Sequence, residues 1–456
     1  MADLEGLVRR LISKNYDRDK ILDKLIEEYL IYKDISKEQA RELSIAVFEE
    51  VKNSLKIPCD EFIKYIIKYP TCNVTIGQQG VGCRGWGDFF VHKIIADLSK
   101  TSKTAFLAPT SLDDAGAVIY KPNNNSSEIY ITSKMEGMHS RLSEFPFLAG
   151  FHVTKAALRD LYVKGSEPIS ILIDIHLGDD ADIGKLFDFM GGVAAVSELL
   201  EVPITGGSTL RIGGDMVIGT RITGGISAIG ITKKLLARRY ITNNDVILMT
   251  EGAGGGTITT TAIYGGFPDV VKETMNIKSL LACKTIIKNN LLTKINCMCD
   301  VTNGGIRGDL NEIAYESKVG MNIDEEKFKA LINSKVYNML EKLDVDHLGV
   351  SLDALLIFCS EENMDEIINT VRKVGVKIQQ IGHTNKDVGK ITMNTKSGKT
   401  ELITRYRESA YTKVKKVVGE NIDENLKNKL AEKIKRLANE AMNKRNKIVE
   451  WIRKNK

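Results

Sequence analysis

The stretch Cys299-Asp-Val-Thr-Asn-Gly-Gly-Ile-Arg-Gly-Asp-Leu-Asn-Glu-Ile-Ala314 decides the fold class. It passes from the end of a strand, through Asp300 and the pair Gly304-Gly305, into a helix. Glycine lets a backbone approach a ligand closely, and a helix N-terminus favours an anion. This pattern predicts an α/β domain that binds an anionic group at Gly304 and Gly305.

A second acidic stretch, Thr110-Ser-Leu-Asp-Asp-Ala-Gly-Ala-Val-Ile-Tyr120, places Asp113 and Asp114 just before a predicted strand at Ala117–Tyr120. Adjacent carboxylates repel each other. A hard cation such as Mg²⁺ relieves that repulsion, and it brings nucleotide phosphates with it. The alternative is a solvated loop with a turn aspartate, and the pattern alone leaves both open.

Two further acidic motifs are less informative by themselves. Ser133–Arg141 contains Glu136 and follows a strand, and Ala157–Pro168 contains Asp160 near a helix end. On pattern alone, Asp160 is typical of a surface residue.

Two glycine-rich segments also stand out. Gly77–Gly87 has five glycines in eleven residues, which is typical of a mobile flap rather than a core element. Gly252-Ala-Gly-Gly-Gly256 follows a strand, as a phosphate loop would. However, the chain has no G-x-x-x-x-G-K-[ST] motif, so a P-loop nucleoside triphosphatase is not predicted.

The pattern divides the chain into four parts: a helical module at 1–57, α/β domains at 61–232 and 240–408, and a basic helical tail at 411–456. We predict strands at 117–120, 128–132, 169–175, 216–221 and 245–250, and helices at 148–162 and 183–200.

The net charge of +5 is concentrated in the tail, where 14 Lys and Arg against 6 Asp and Glu give +8 and leave −3 for the rest. An amphipathic helix of this charge either contacts RNA or another anionic surface, or packs on the body with a solvated lysine face. We favour the packed helix and expect no nucleic-acid partner.

Other features indicate a cytoplasmic protein. No apolar run reaches the length of a membrane helix, and MADLEGLVRRL has no signal-peptide core. The seven cysteines show no C-x-x-C spacing, and the histidines show no zinc spacing. We therefore expect free thiols in a reducing compartment.

Taken in order, the motifs resemble one superfamily, the PurM-like group of aminoimidazole-ribonucleotide synthetase, selenophosphate synthetase, thiamine-monophosphate kinase and the hydrogenase-maturation ATPase. The matching segments are Asp113–Val118, Glu136–Arg141, Ala157–Pro168, Pro203–Arg211, Asn244–Gly252, Asp300–Ile306 and Ile381–Thr384. The chain is most similar to the archaeal selenophosphate synthetase-related branch.

The resemblance implies a two-domain α/β (α+β) fold, whose first domain pairs with a second copy into a dimeric β-barrel. It also implies phosphoryl transfer from ATP with Mg²⁺, on a substrate that it does not identify. The metal ligands would be Asp113, Asp114, Glu136, Asp160 and Asp300. ATP would also contact Asp113, Asp114, Asp160, Gly206, Gly207, Gly304 and Gly305.

The departures from the family pattern leave alternatives open. Glu136 replaces an aspartate, and the chain lacks the C-terminal cysteine tail of the hydrogenase-maturation enzymes. In selenophosphate synthetases the N-terminal loop carries a catalytic cysteine followed by a lysine, and Cys83-Arg84 resembles that pair. Lys93 could also supply a cation, so Cys83 and Lys93 are the candidate catalytic residues here. The alternative function is an ATP-binding assembly or sensor protein without turnover, whose terminal helices contact a partner.

Overall fold

A computed structural model describes residues 1–101, 103–121, 128–302, 304–408 and 410–454. Asn303 of the motif at 299–314 and the last two residues of the predicted tail lie outside the described residues. In the part of the chain that is described, no helix is both long and apolar enough to cross a membrane.

The N-terminal part is helical, as predicted. Its elements are β1 (Ala2–Asp3), α1 (Leu4–Ser13), α2 (Arg18–Tyr32), α3 (Lys37–Ser54), α4 (Glu61–Ile67), α5 (Ile76–Gln79) and α6 (Trp86–Leu98). A capping box is present at the start of α3, where the Gln39 amide donates to Ser36 Oγ at 3.1 Å.

The first α/β domain follows. Its elements are β2 (Gly116–Tyr120), β3 (Ile129–Gly137), α7 (Pro146–Tyr162), β4 (Glu167–Leu177), α8 (Ile183–Leu200), β5 (Ile204–Arg211), β6 (Val217–Ile218) and β7 (Ile222–Thr232). The main sheet has the order β2-β3-β7-β4-β5, with only the β4–β5 pair parallel. The short strand β6 pairs with β1 and so joins the helical module to this domain.

The second α/β domain and the tail complete the chain. The domain contains β8 (Val246–Thr250), α9 (Gly256–Gly265), α10 (Val271–Thr274), α11 (Lys278–Lys288), β9 (Cys297–Asp300), α12 (Gly305–Ser317), β10 (Gly320–Asp324), α13 (Glu325–Lys329), α14 (Ser334–Lys342), β11 (Leu355–Cys359), α15 (Glu361–Arg372), β12 (Ile378–Asn385), β13 (Ile391–Thr395) and β14 (Gly398–Glu401). The tail contains α16 (Lys413–Val418) and α17 (Glu424–Lys454).

The second sheet has the order β14-β13-β10-β12-β8-β11-β9. One apolar core joins its inner face to the first sheet, and a second core fills the space between its other face and α12. Helix α7 contacts β3 and β7 of the first domain and α11 and β9 of the second. It is buried along most of its length and lies between the two domains.

One face of the first sheet packs on α7 and α8, and the other face is open. Along the open face the strands carry partly or fully exposed apolar side chains, among them Val118, Met135, Leu210 and Ile231. This alternation of buried and open positions follows from the two-residue period of a β-strand.

The predictions for individual elements have mixed outcomes. Helix α8 has the predicted bounds, but the strand expected at 216–221 is wrong. That segment holds a 3₁₀ turn at Gly214–Met216 and the two-residue β6, and the long strand is β7. Three glycines, Gly224, Gly225 and Gly230, lower the strand propensity of β7.

Candidate functional site

Helix α7 and the residues just after it carry four of the charged side chains at the domain boundary. Lys155, Arg159 and Asp160 lie on the helix, and Lys164 follows its end. All four side chains are buried although they are ionisable, which is rare unless such groups are paired. Their partners come from both domains.

A first ion-pair network surrounds Lys164 and Arg238. The Lys164 ammonium pairs with Asp113 and lies 2.9 Å from Asp114 Oδ2. The Arg238 guanidinium lies 2.6 Å from Asp114 Oδ1 and 2.9 Å from Glu312 Oε2. The adjacent aspartates of the sequence motif are therefore held by buried basic groups rather than exposed in a solvated loop.

A second network surrounds Lys134 and Arg159. Lys134 Nζ lies 2.6 Å from Asp160 Oδ2 and 3.5 Å from Glu136 Oε2. Arg159 pairs with Asp300 of the second domain. The same guanidinium also pairs with Asp353, which in turn pairs with Lys155.

Each network has one carboxylate more than it has basic groups. The first joins Asp113, Asp114, Asp309 and Glu312 to Arg84, Lys164 and Arg238. The second joins Glu136, Asp160, Asp300 and Asp353 to Lys134, Lys155 and Arg159. If every group is ionised, the two networks together carry a formal charge of −2.

The pKa directions show that the two networks influence each other. Burial, together with the charges of Asp160 and Asp114, raises the pKa of Asp300 to about 7, and the charge of Arg159 opposes this rise. Burial also raises the pKa of Asp160, with Lys134 opposing and Glu136 adding to the rise. Burial opposes the charge on Asp114, but Arg238 and Lys164 outweigh it and lower its pKa. The aspartates predicted from separate motifs thus form one electrostatic unit.

The fit of these residues to a divalent cation depends on their charge and chemistry. Among the described residues the buried Asp160 Oδ1 accepts no hydrogen bond, and the Lys164 ammonium at 2.9 Å is the close partner of Asp114 Oδ2. Hard cations prefer carboxylate oxygens of this kind. However, in the described ranges no three His, Cys, Asp or Glu side chains are arranged as a metal site. The sequence predicts that Mg²⁺ neutralises these carboxylates, whereas in this structure they form ion pairs with lysine and arginine side chains.

The predicted flap at 77–87 is packed rather than open. The backbone amides of Trp86 and Gly87 donate to the carbonyls of Arg405 and Tyr406 at 2.9 and 3.1 Å. Asp88 accepts from the amides of Gly82 and Arg84 at 2.8 and 3.0 Å. These bonds fix the segment between α5 and α6 against the chain that follows β14.

This packing brings Arg84 to the first network. Its guanidinium lies 3.6 Å from both Asp309 and Glu312 on α12. Burial opposes the positive charge of Arg84, but Glu312 and Asp309 outweigh it and raise its pKa. The sequence singled out the neighbouring Cys83 and did not identify Arg84 as part of the site.

Gly304 and Gly305 pack closely against protein, and their role in binding an anion stays a prediction. A Cβ on Gly304 would lie 2.9 Å from Arg84 Cβ, and one on Gly305 would lie 2.3 Å from the Leu348 carbonyl oxygen. Both have a positive φ, of 106° and 63°. Protein atoms therefore lie where a side chain at either position would begin, so only glycine fits without a shift.

The remaining predicted site residues lie apart from the networks. Gly206 and Gly207 lie within the exposed edge strand β5, not in a loop, because their backbone pairs with β4. Lys93 Nζ lies 3.5 Å from the centre of the Tyr315 ring. Cys83 lies in the turn before α6, and its backbone carbonyl accepts a hydrogen bond from the Glu408 amide at 3.0 Å. Neither side chain has an ion pair in the described residues, so their catalytic roles stay predictions.

The sequence identified the aspartates but missed the basic residues and three of the carboxylates. The missed residues are Arg84, Lys134, Lys155, Arg159, Lys164, Arg238, Asp309, Glu312 and Asp353. A usable signal lay in the apolar residues on both sides of Lys155 and Arg159 in α7, which leave those side chains no solvated face.

A polar cavity of about 240 Å³ adjoins the second network. Its walls are Glu251, Ala253, Lys272, Glu273, Asn276, Lys278, Ser279, Asn333 and Asp353. Asp353 belongs both to this wall and to the Arg159 network, so the cavity is in direct contact with the charged cluster.

Comparison with family models identifies both α/β domains. The model described as "AIR synthase related protein, N-terminal domain" matches residues 112–232, and the corresponding C-terminal domain model matches residues 242–394. Together they cover more than half of the 456 residues.

Similar proteins support the same grouping. An uncharacterized protein of Methanocaldococcus jannaschii is 46% identical over all of this chain and 99% of its own length. A putative hydrogenase expression/formation protein of the same organism is 24% identical, covering 71% of this chain and 94% of its own. A selenide, water dikinase of Sulfurimonas denitrificans is 24% identical, covering 67% and 94%.

Solved structures show the same fold. The HypE–HypF complex contains a chain that matches with a TM-score of 0.54 at 18% identity, covering 69% of this chain and 98% of that one. HypE in complex with ATP matches with a TM-score of 0.52 at 17% identity, covering 62% and 87%. AaThiL complexed with AMPPCP and TMP matches with a TM-score of 0.52 at 16% identity, covering 70% and 96%.

Proposed function

The chain belongs to the AIR synthase related family and has its PurM-like fold, and from this we propose that it is an ATP-dependent phosphoryl-transfer enzyme that requires Mg²⁺. Its relatives include proteins named selenide, water dikinase, and its structural neighbours include a protein bound to ATP and another bound to AMPPCP. The acceptor is a small molecule or a modified group of unidentified structure.

One observation carries this proposal: carboxylates of both family domains converge on one buried unit. Asp114 and Asp160 come from the first domain and Asp300 comes from the second, and the charges of the first two raise the pKa of the third. A structural role does not require three carboxylates to be crowded at a domain boundary, because crowding them costs free energy. Phosphoryl transfer benefits from such a cluster, since it depends chiefly on positioning and charge.

Asp114, Asp160 and Asp300 would hold the metal, with Asp113 and Glu136 nearby. Bound there, the metal would neutralise the phosphate oxygens and the charge that develops on the leaving group. The first candidates for ligands are Asp160 Oδ1, which accepts no hydrogen bond among the described residues, and Asp114 Oδ2, which would exchange the Lys164 ammonium for the metal.

The basic residues would change partners when the nucleotide enters. Lys134 and Arg159 now pair with Asp160 and Asp300, and a cation on those carboxylates frees both groups to bind phosphate oxygens. Arg84, on the segment 77–87, joins the first network through Asp309. The 240 Å³ cavity beside Asp353 is the proposed place for a small polar acceptor.

We further propose a cytoplasmic homodimer that forms through the open face of the first sheet. This face carries exposed Val118, Leu210 and Ile231 and ends at the unpaired edge strand β5. An apolar face of this kind is typical of a protein interface.

The test is ATP turnover in the presence of a pool of cell-extract metabolites. We expect ADP release that requires Mg²⁺, and we expect Asp160→Asn to reduce the rate at least a hundredfold. Asp365→Asn, on the exposed surface of α15, is the matched control and should retain full activity.

A second candidate, ATP binding without turnover, is favoured by the pairing of the cluster with lysine and arginine. Tight ATP binding with no ADP release from any metabolite pool would support that alternative and contradict the enzyme.

A further inference from the structure

A large groove runs between α4 and the C-terminal half of α17, away from the carboxylate networks. Its volume is about 1460 Å³. The two helices meet where the Phe62 and Trp451 rings stack at 4.4 Å and where Lys444 Nζ donates to the carbonyls of Ile66 and Lys68. The tail therefore packs on the body, as the sequence predicted, but it leaves a wide channel beside the contact.

The walls of this groove carry a net positive charge, although one of its lysines, Lys64, pairs with Glu61 at 3.3 Å. Lys64, Lys68, Lys444, Lys447 and Lys454 line it, against three glutamates. Helix α17 has ten basic residues, and within the described part of the chain only one of them, Lys427, forms an ion pair with a carboxylate. The charge is therefore available to an anionic partner.

Aromatic rings lie between these lysines. Tyr69 is 74% exposed and Trp451 is 47% exposed. Tyr65 lies between two ammonium groups, with Lys447 Nζ 5.0 Å and Lys444 Nζ 5.9 Å from its ring centre. Even with Trp451 stacked on Phe62, the rings of Tyr69 and Trp451 keep exposed surface beside the lysines, and this surface is accessible to a planar base.

We propose that this groove binds a single-stranded segment of nucleic acid, with bases stacked on Tyr69 and Trp451 and phosphates beside Lys68, Lys447 and Lys454. Exposed aromatic rings along a basic channel are what sequence-tolerant single-strand binding requires. The tail sequence alone does not favour a nucleic-acid partner. The structure adds aromatic side chains from α4 and from the residues just after it, and the fold places them beside the tail.

The experiment measures fluorescence anisotropy of labelled 12-nucleotide oligouridylate RNA, the corresponding oligothymidylate DNA and a 12-base-pair RNA duplex, each titrated with the full chain. We expect at least one single strand to bind and to quench tryptophan fluorescence, with the duplex much weaker. If Lys68, Lys447 and Lys454 contact phosphates, affinity should fall roughly 20-fold between 50 and 200 mM salt. The difference between the RNA and DNA arms identifies which polynucleotide the groove prefers.

Variants test the two parts of the groove separately. Tyr69→Ala should weaken binding about tenfold through lost stacking. Trp451→Phe, which can still stack on Phe62, should weaken it less. The double variant Lys447→Gln and Lys454→Gln should reduce the steepness of log affinity against log salt concentration by about 1.4. Lys399→Gln on β14 should leave this slope unchanged.

Three outcomes would overturn the proposal. One is single-strand affinity that Tyr69→Ala and the lysine pair both leave unchanged. Another is equal affinity for the duplex. The third is displacement of the oligonucleotide by polyglutamate at an equal concentration of charge, because this would identify the groove as a site for acidic protein segments.

Discussion

Asp309 shows at the scale of one residue how burial sets the charge of this site. Its carboxylate accepts from the Thr302 amide at 2.7 Å and from the Thr302 hydroxyl at 3.1 Å. Burial raises its pKa from 3.8 to about 7 against the opposing charge of Arg84. Near neutral pH the charge of the first network therefore depends on pH.

Asp309→Asn should make stability less dependent on pH. The folded pKa of about 7 lies above the ordinary 3.8, so the stabilisation by this carboxyl group is complete below pH 3.8 and is lost as pH rises through 7. Between those values the free energy of unfolding of the native protein should fall relative to the variant, by at most about 1.4 kcal/mol per pH unit. Urea unfolding at pH 5 and pH 8 measures this, and parallel pH profiles would contradict it.

Gly305→Ala should destabilise the start of α12. The added methyl group would lie 2.3 Å from the Leu348 carbonyl oxygen and 2.6 Å from the Val350 nitrogen, at a φ of +63°. We expect a loss of about 3 kcal/mol or more in the free energy of unfolding. Gly389→Ala is the matched control, because its φ is +73° but no atom lies within 4 Å, and it should cost only about 1 kcal/mol. Equal losses would show that backbone strain, not close packing, explains Gly305.

The sequence named five of the eight carboxylates in the two networks and none of their basic partners as site residues. Asp113 and Asp114 stand out because adjacent carboxylates repel each other, and Asp300 stands out because it ends a strand before a glycine pair. Lys155 and Lys164 resemble ordinary surface lysines in a sequence, because lysine is rarely buried. Only the packing of α7 between the domains shows that they are buried.

At the scale of elements, the segment that follows β14 holds the turn between α5 and α6. Glu408 is 2% exposed and accepts from Arg307 Nε and Nη2 at 2.9 and 2.8 Å. It also accepts from the Arg405 amide at 2.9 Å, and its own amide donates to the Cys83 carbonyl. This carboxylate thus supports the segment that carries Arg84.

Glu408→Gln should loosen that segment. The substitution leaves Asp346, 2.9 Å away, as the remaining carboxylate partner of Arg307, so the loss should be about 2–3 kcal/mol, below the cost of an uncompensated buried charge. Urea unfolding measures the loss, and limited proteolysis should then cut within 77–87. Glu420→Gln is the control, because its pair with Arg405 is partly exposed and should contribute less than about 1 kcal/mol. Equal losses for the two variants would contradict the proposed support.

Elements with strong periodicity were predictable, and glycine-rich strands were not. Helix α8 keeps an apolar stripe along its whole length, and its bounds were predicted correctly. Strands β5 and β7 contain Gly206, Gly207, Gly224 and Gly225, and glycine in a strand resembles a loop. Pairing with β4, which lies between β7 and β5, holds both in the sheet despite this low propensity.

At the scale of the whole molecule, the open face of the first sheet predicts self-association. Val118→Glu combined with Leu210→Glu places two charges on that face and should convert a dimer to a monomer, measured by light scattering after size exclusion. Both side chains are about half exposed in the single chain, so the monomer should remain folded. Val388→Glu, 64% exposed on the second domain, should stay dimeric. A double variant that remains a dimer would place the interface elsewhere.

The central claim is that carboxylates of both domains form one site for ATP with its metal. Calorimetric titration of a non-hydrolysable ATP analogue into the native protein, Asp160→Asn and Asp300→Asn, each with and without Mg²⁺, tests it most directly. The claim predicts that Mg²⁺ strengthens binding to the native protein and that either substitution, one in each domain, removes most of this gain. Full affinity and an unchanged effect of Mg²⁺ in both variants would contradict it.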